Sequence, residues 1–136
     1  MTSRDRLRID GVHPALAAGL EGIFEQMDEA GTPMFVVEGV RTEERQAELF
    51  ARGRTEPGDI VTFKDGIVHK SNHQAHDDGY GYAVDCAFQD SDPFALTHPW
   101  EIFGASAERI GLLWGGRWKL VDRPHVELPE AVIPTP

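Results

Sequence analysis

The chain has little of three things, and each shortage closes off a class of protein. Cys86 is the only cysteine in 136 residues, so no intrachain disulfide can staple the fold. It follows Asp85 in a strand-like run, where alternation turns it to the opposite face and makes it a small core residue. Long apolar runs are missing, so no segment reaches membrane-spanning length, and Met1–Asp10 is too polar for a secretory h-region. Folding in a reducing cytoplasm without a signal peptide is the expectation. Excess positive charge is missing too. The formal net charge is -10, which offers phosphate no basic patch and gives no attraction to an anionic membrane. Nucleic acid and a membrane anchor are therefore not expected partners.

What is present suffices for one domain over residues 1–136 with one core. No repeat, linker or low-complexity segment interrupts it, and the proline-rich end, 129–136, reads as an extended tail. After His13-Pro14, the residues Leu16, Leu20, Ile23, Phe24 and Met27 recur on one helical stripe. Gly31-Thr32-Pro33 ends that helix, and Met34–Val37 reads as a strand. Thr42 caps a second helix that runs to about Gly53, with Glu43 and Glu44 in its first turn. Residues 54–74 are loop with a short hairpin at Asp65-Gly66, and Tyr80–Phe88 alternates as a strand. A helix starting at Thr97–Trp100, a turn at Gly115-Gly116 and a last strand at His125–Leu128 follow. Helices and strands mixed without strict βαβ alternation predict an α+β fold, a small antiparallel sheet flanked by helices.

Two stretches carry the chemistry. One holds Ser71-Asn72-His73-Gln74 and then Gly81-Tyr82-Ala83-Val84-Asp85; the other is Asp122-Arg123-Pro124-His125-Val126-Glu127. His73, Asp85 and His125 offer two neutral imidazoles and one carboxylate. Three such ligands with an open fourth position describe a catalytic rather than a structural zinc site. Six histidines are present, so spacing alone is a weak guide.

The ordered motifs resemble the M15 peptidase family, which includes phage-type L-alanyl-D-glutamate endopeptidases and D-Ala-D-Ala carboxypeptidases. Ser71-Asn72-His73 and Gly81–Asp85 match its Ser-x-His and Gly-x-Ala-x-Asp signatures, and Asp122 with His125 matches the acid and last histidine. Likeness extends to Gly11–Pro14, Glu38–Thr42, Arg45-Gln46, Gly53–Thr55 and Leu113–Gly116, and so covers nearly the whole chain.

The resemblance implies a zinc (Zn2+) peptidase that hydrolyses an amide of the peptidoglycan peptide stem, with L-alanyl-D-glutamate favoured. A monomeric phage or prophage endolysin, made in the bacterial cytoplasm and acting at the cell wall, is the implied setting. A D-Ala-D-Ala carboxypeptidase or dipeptidase, or a non-catalytic zinc-containing wall-binding module, is the alternative. His73, Asp85 and His125 become the metal ligands and Asp122 the general base, with Glu127 a second candidate for that role. Arg41 becomes the catalytic electrophile, stabilising an oxyanion or forking onto a substrate carboxylate. Ser71, Gln46 and Trp114 become substrate-binding residues, with Trp118 beside them. The chain departs from the family by an insertion, Ala75–Gly79. Within it His76 rivals His73 as first ligand, although Ser71-Asn72 before His73 favours the latter.

Overall fold

Strand order in the sheet is β1-β2-β4-β3, all neighbours antiparallel. The strands are β1 (Met34–Glu38), β2 (Ala83–Phe88), β3 (Leu113–Trp114) and β4 (His125–Glu127). Among the described residues four α-helices accompany them, α1 (Ser3–Arg8), α2 (Pro14–Glu29), α3 (Glu43–Ala51) and α4 (Trp100–Arg109). This computed structural model describes residues 1–129. The expected extended tail lies, from Glu130 onward, outside the described residues. The architecture is the expected α+β, and no described helix is long and apolar enough to cross a membrane.

The core forms where periodicity placed it. Leu16, Leu20, Ile23, Phe24 and Met27 of α2 are buried together with Phe103 and Ala107 of α4. They meet Val36, Val84, Cys86 and Val126, the residues that alternate toward that side of the sheet. Burial pushes the Cys86 thiol well above its ordinary pKa, as suits a packing residue.

Two local expectations are corrected, and one element is new. The helix α1 lies in the charged N-terminus that carried no strong periodicity; a capping box between Thr2 and Asp5 starts it. Asp5 is buried there because its Oδ1 also accepts the Val36 amide at 2.9 Å, pinning α1 to β1. The α4 helix begins at Trp100 after Pro99 with no side-chain cap, so Thr97 does not serve as one. At Asp65-Gly66 there is no hairpin. The Asp65 Oδ1 accepts the amides of Ile67, Val68 and His69 and closes a compact turn instead.

Candidate metal centre and cleft

The sheet face opposite the core carries the site. Asp85 of β2 stands directly across from His125 of β4, and Glu38 of β1 pairs with Asp85 on its other side. One row of polar side chains thus crosses three strands. His73 joins it from the loop before β2, which is stitched to the sheet by its backbone. The Arg41 amide donates to the His73 carbonyl at 2.8 Å and the Tyr82 amide to the Asn72 carbonyl at 2.7 Å. Gly81 keeps this crossing close, because a Cβ there would stand a tight 3.0 Å from the His73 carbonyl oxygen and 3.1 Å from Val40.

Three atoms converge. His73 Nε2 lies 3.3 Å from Asp85 Oδ1 and 3.2 Å from His125 Nδ1, and His125 Nδ1 lies 3.2 Å from Asp85 Oδ1. Ligand atoms around a tetrahedral zinc at bonds of 2.0–2.1 Å are separated by about 3.3–3.4 Å, so this near-equilateral triangle has the size of one face of that tetrahedron.

The outer ring nitrogens decide what the inner ones offer. His73 Nδ1 donates to the Gly39 carbonyl at 2.9 Å, and His125 Nε2 donates to Glu127 at 2.7 Å. Both neutral rings therefore aim lone pairs at the triangle, where Asp85 Oδ1 is buried without a hydrogen-bond partner. Three acceptors facing one point require a positive charge between them. Protein electrostatics register the same demand. Burial works to lower the His125 pKa, but the neighbouring Asp85 and Glu127 carboxylates override it and raise it to about 9. Burial likewise opposes ionisation of Asp85, yet the two histidines hold its carboxyl far below the usual range. The donor set fits a divalent cation that accepts nitrogen and oxygen.

The orienting partners form a chain of their own. Glu127, nearly buried, accepts from His125 through one oxygen and from Asn72 Nδ2 at 2.5 Å through the other. It thereby ties the loop of His73 to the strand of His125, as carboxylates behind ligand histidines do. A carboxylate so committed is poorly free to act as base. Sequence reasoning placed Glu127 only as a base candidate; the i,i+2 spacing from His125 in a strand, which puts both on one face, was the signal for its orienting position.

Asp122 reaches the centre from the loop before β4, with its Oδ2 3.8 Å from His125 Nδ1 and its side chain half exposed to the cleft. Desolvation by the cleft walls, then the Asp85 charge, raises its pKa above the ordinary carboxylate value. Its position depends on Gly115, whose carbonyl accepts the Asp122 amide at 2.9 Å. A Cβ on Gly115 would come within 2.3 Å of the Asp122 carbonyl oxygen.

Not every expected site residue faces the cleft. Arg41, Ser71, His73, Asp85, Asp122 and His125 line it, together with Trp118. Gln46 does not: it is fully buried, accepting from Arg41 at 2.9 Å and donating to the Lys64 carbonyl at 2.8 Å. It braces Arg41 against the wall loop from behind the cleft surface. Trp114 also sits behind the cleft, its Nε1 donating to the Arg123 carbonyl at 2.8 Å. Its ring fills space left by Gly104 and Gly116, where an added Cβ would clash at 2.2 Å. A large ring under the Asp122 loop is packing, and Trp118 is the aromatic that reaches the opening. Arg41 is held tightly by Glu38 in a two-pronged pair at 3.0 and 3.2 Å, and its Nη2 lies 3.7 Å from Asp85 Oδ2. That leaves it able to polarise but with little freedom to fork onto a substrate carboxylate. Ser71 also holds the His73 turn, its Oγ accepting the His73 amide at 3.2 Å. His76 stands apart from the triangle, stacked on Tyr82 with ring centroids 3.7 Å apart.

The cleft has a volume of about 790 Å³. One wall carries Ile60, Val61 and Phe63, the other Trp118, Leu120 and Val121, all substantially exposed. An open trough with apolar walls and a polar floor suits an extended peptide better than a small enclosed ligand.

Comparisons with known proteins converge. Residues 66–128 match a family model of the M15 peptidases described as D-alanyl-D-alanine carboxypeptidase. The peptidoglycan L-alanyl-D-glutamate endopeptidase CwlK of Bacillus subtilis is 30% identical over 129 residues, 86% of this chain and 73% of the relative. The crystal structure of the L-Ala D-Glu endopeptidase ChiX of Serratia marcescens superposes with a TM-score of 0.61 at 25% identity, covering 96% of this chain and 90% of that one. The D,D-dipeptidase VanXYg, at 20% identity over 86% of this chain and 50% of its own, shares the fold with a TM-score of 0.60.

Proposed function

The chain belongs to the M15 peptidase family, and we propose that it is a zinc-dependent hydrolase of an amide bond in the peptide stem of peptidoglycan, by preference the L-alanyl-D-glutamate bond. The observation that carries this reading is the triangle of three acceptor atoms at 3.2–3.3 Å. His73, Asp85 and His125 would hold the ion. When bound, zinc supplies Lewis-acid chemistry, polarising a carbonyl and acidifying water near neutral pH.

The chain's own groups do the rest. Asp122 takes a proton from the attacking water at its carboxylate and returns it to the departing amine. Arg41 keeps positive charge beside Asp85 where the carbonyl oxygen becomes negative, and Gln46 fixes its direction. Glu127 and Asn72 keep the His125 ring from turning.

The choice of L-alanyl-D-glutamate draws on the two relatives named for that bond, which match most of their own length. The family model's description favours a second reading, removal of a terminal D-alanine. A non-catalytic wall binder is disfavoured because such a protein has no use for a carboxylate poised at the open side of the centre. We further infer a monomer acting at the cell wall as a lytic enzyme of phage or prophage, which sedimentation and lysis of permeabilised cells would check. Mass spectrometry of muropeptides digested by the zinc-loaded protein tests the bond. Release of stems beginning at D-glutamate supports the first reading, loss of one D-alanine the second, and an unchanged muropeptide profile contradicts both.

A further inference from the structure

All three lysines of the chain, Lys64, Lys70 and Lys119, fall on the two loops that wall the cleft. Lys64 and Lys70 line it directly, and Lys119 lies between Trp118 and Leu120, which also line it. In a chain with a formal charge of -10, that placement concentrates free positive charge at one opening. Among the described residues no lysine ammonium forms an ion pair.

The other charges of the cleft are spoken for. Glu38 is paired with Arg41, and Glu127 with His125 and Asn72. Asp85 faces the two histidines, and Asp122 stands at the open side of the centre. Arg41, the only arginine lining the cleft among the described residues, already donates to Glu38 and Gln46 through all three of its nitrogens. A substrate carboxylate entering this cleft therefore meets two uncommitted cations, and both are on the same wall.

Their backbone is not loose. The Lys64 carbonyl accepts from Gln46, and the Lys64 amide donates to Thr62 Oγ1 at 3.1 Å. The turn between the lysines is closed by Asp65 and by the Gly66 amide on the His69 carbonyl at 3.1 Å. Gln74 then clamps its two ends, accepting the Ser71 amide at 2.9 Å and donating to the Gly66 carbonyl at 3.0 Å. Lys64 and Lys70 thus flank the base of one braced turn, beside the strut that holds Arg41.

We propose that Lys64 and Lys70 form a carboxylate-binding subsite on this wall, which takes the free carboxylate of an acidic residue next to the scissile amide. The inference rests on the peptidase reading and narrows it to substrates with an anion beside the cut. A glutamate joined through its amine and one carboxyl keeps its second carboxylate, so an alanyl-glutamate junction supplies that anion within a few atoms of the bond. Amidation of the same carboxyl would remove the charge with almost no change of shape, and so isolates the effect of the lysines.

The test uses the zinc-loaded protein and two stem peptides that differ only in carrying the free carboxylate or its carboxamide. Hydrolysis of each is measured as kcat/KM. Calorimetric binding of the corresponding D-glutamyl product peptides, which are not turned over, is measured beside it. The wild-type protein is expected to favour acid over amide by about tenfold in both measurements, the size of one charge-assisted contact at a partly exposed site. The Lys64→Met/Lys70→Met pair should bring both ratios to within about twofold of one, and Lys64→Arg/Lys70→Arg should restore the preference. A wild-type ratio near one, or a preference that survives the methionine pair, overturns the proposal. If neither peptide is cut, the peptidase reading has failed, and the binding ratio still decides for or against the subsite.

Discussion

The floor of the cleft and its walls are built by different rules. On the floor, His73, Asp85, His125 and Glu127 are buried or nearly so, and each polar atom behind the triangle has a fixed partner. On the walls, Ile60, Val61, Phe63, Leu120 and Val121 are exposed, on loops anchored in part by the Gln46 and Arg54 side chains. The floor must hold donor atoms to within tenths of an ångström against charge repulsion, which takes a sheet and a closed hydrogen-bond network. The walls need only shape and charge. On the proposed function, this contrast predicts that catalysis and specificity respond to different substitutions.

The largest effect is expected on the floor. Asp122→Asn keeps the shape but removes the base, and should lower kcat by about 10²–10⁴-fold while ion content stays at the wild-type level. Parallel loss of ion would show that Asp122 is a ligand instead. Glu127→Ala leaves all three inner atoms in place yet frees the His125 ring, so zinc affinity should fall by about 10–100-fold in competition with a chelator. Unaltered affinity would remove Glu127 from the site's support. Gly115→Ala pushes the Asp122 segment by the contact at 2.3 Å. Here kcat should drop by about tenfold with little change in KM or zinc affinity, because misplacing a base by a fraction of an ångström is costly. On the walls, Phe63→Ser should raise KM by about two- to fivefold and leave kcat and zinc content alone, since one exposed side chain contributes limited apolar area. A kcat defect of the floor's size would erase the distinction.

The smallest effect concerns what carries the floor. Asp5 anchors α1 to β1, and its amide hydrogen bonds, set against desolvation, hold its carboxyl below the usual carboxylate range. A depressed carboxylate contributes stability above its unfolded pKa, and that contribution disappears as pH falls through the folded value. Asp5→Asn should therefore cost about 1 kcal/mol at pH 7, in the range of a lost helix cap. The gap to wild type should close on acidification below about pH 4, where the unfolded carboxyl begins to protonate. A gap that persists unchanged at pH 2 in denaturant titrations would contradict the assignment.

Legibility in the sequence followed the same division. The α2 stripe, the β1 run and most of the Tyr80–Phe88 alternation, observed as a strand from Ala83, could be read because burial on one side imposes a period. The metal triangle needed more than spacing, since its members are 12 and 40 residues apart in sequence and meet only by strand pairing. Motif resemblance supplied what periodicity could not. What stayed hidden was decided by single tertiary contacts. The α1 helix depends on Asp5 reaching Val36, and β3 is two residues long. Gln46 and Trp114 carry polar groups that suit a cleft as well as a strut, and only packing against Lys64 and between Gly104 and Gly116 distinguishes the two.

The central claim is that this chain holds one zinc ion on His73, Asp85 and His125, with Asp122 beside it and outside the ligand set. Native mass spectrometry with elemental analysis of wild type, His125→Ala and Asp122→Asn, each reconstituted with equal zinc and then dialysed, tests it most directly. The account predicts one zinc per chain in wild type and in Asp122→Asn, and almost none in His125→Ala. Zinc retained equally by all three, or absent from a wild-type protein that still cleaves its substrate in chelator, would contradict it.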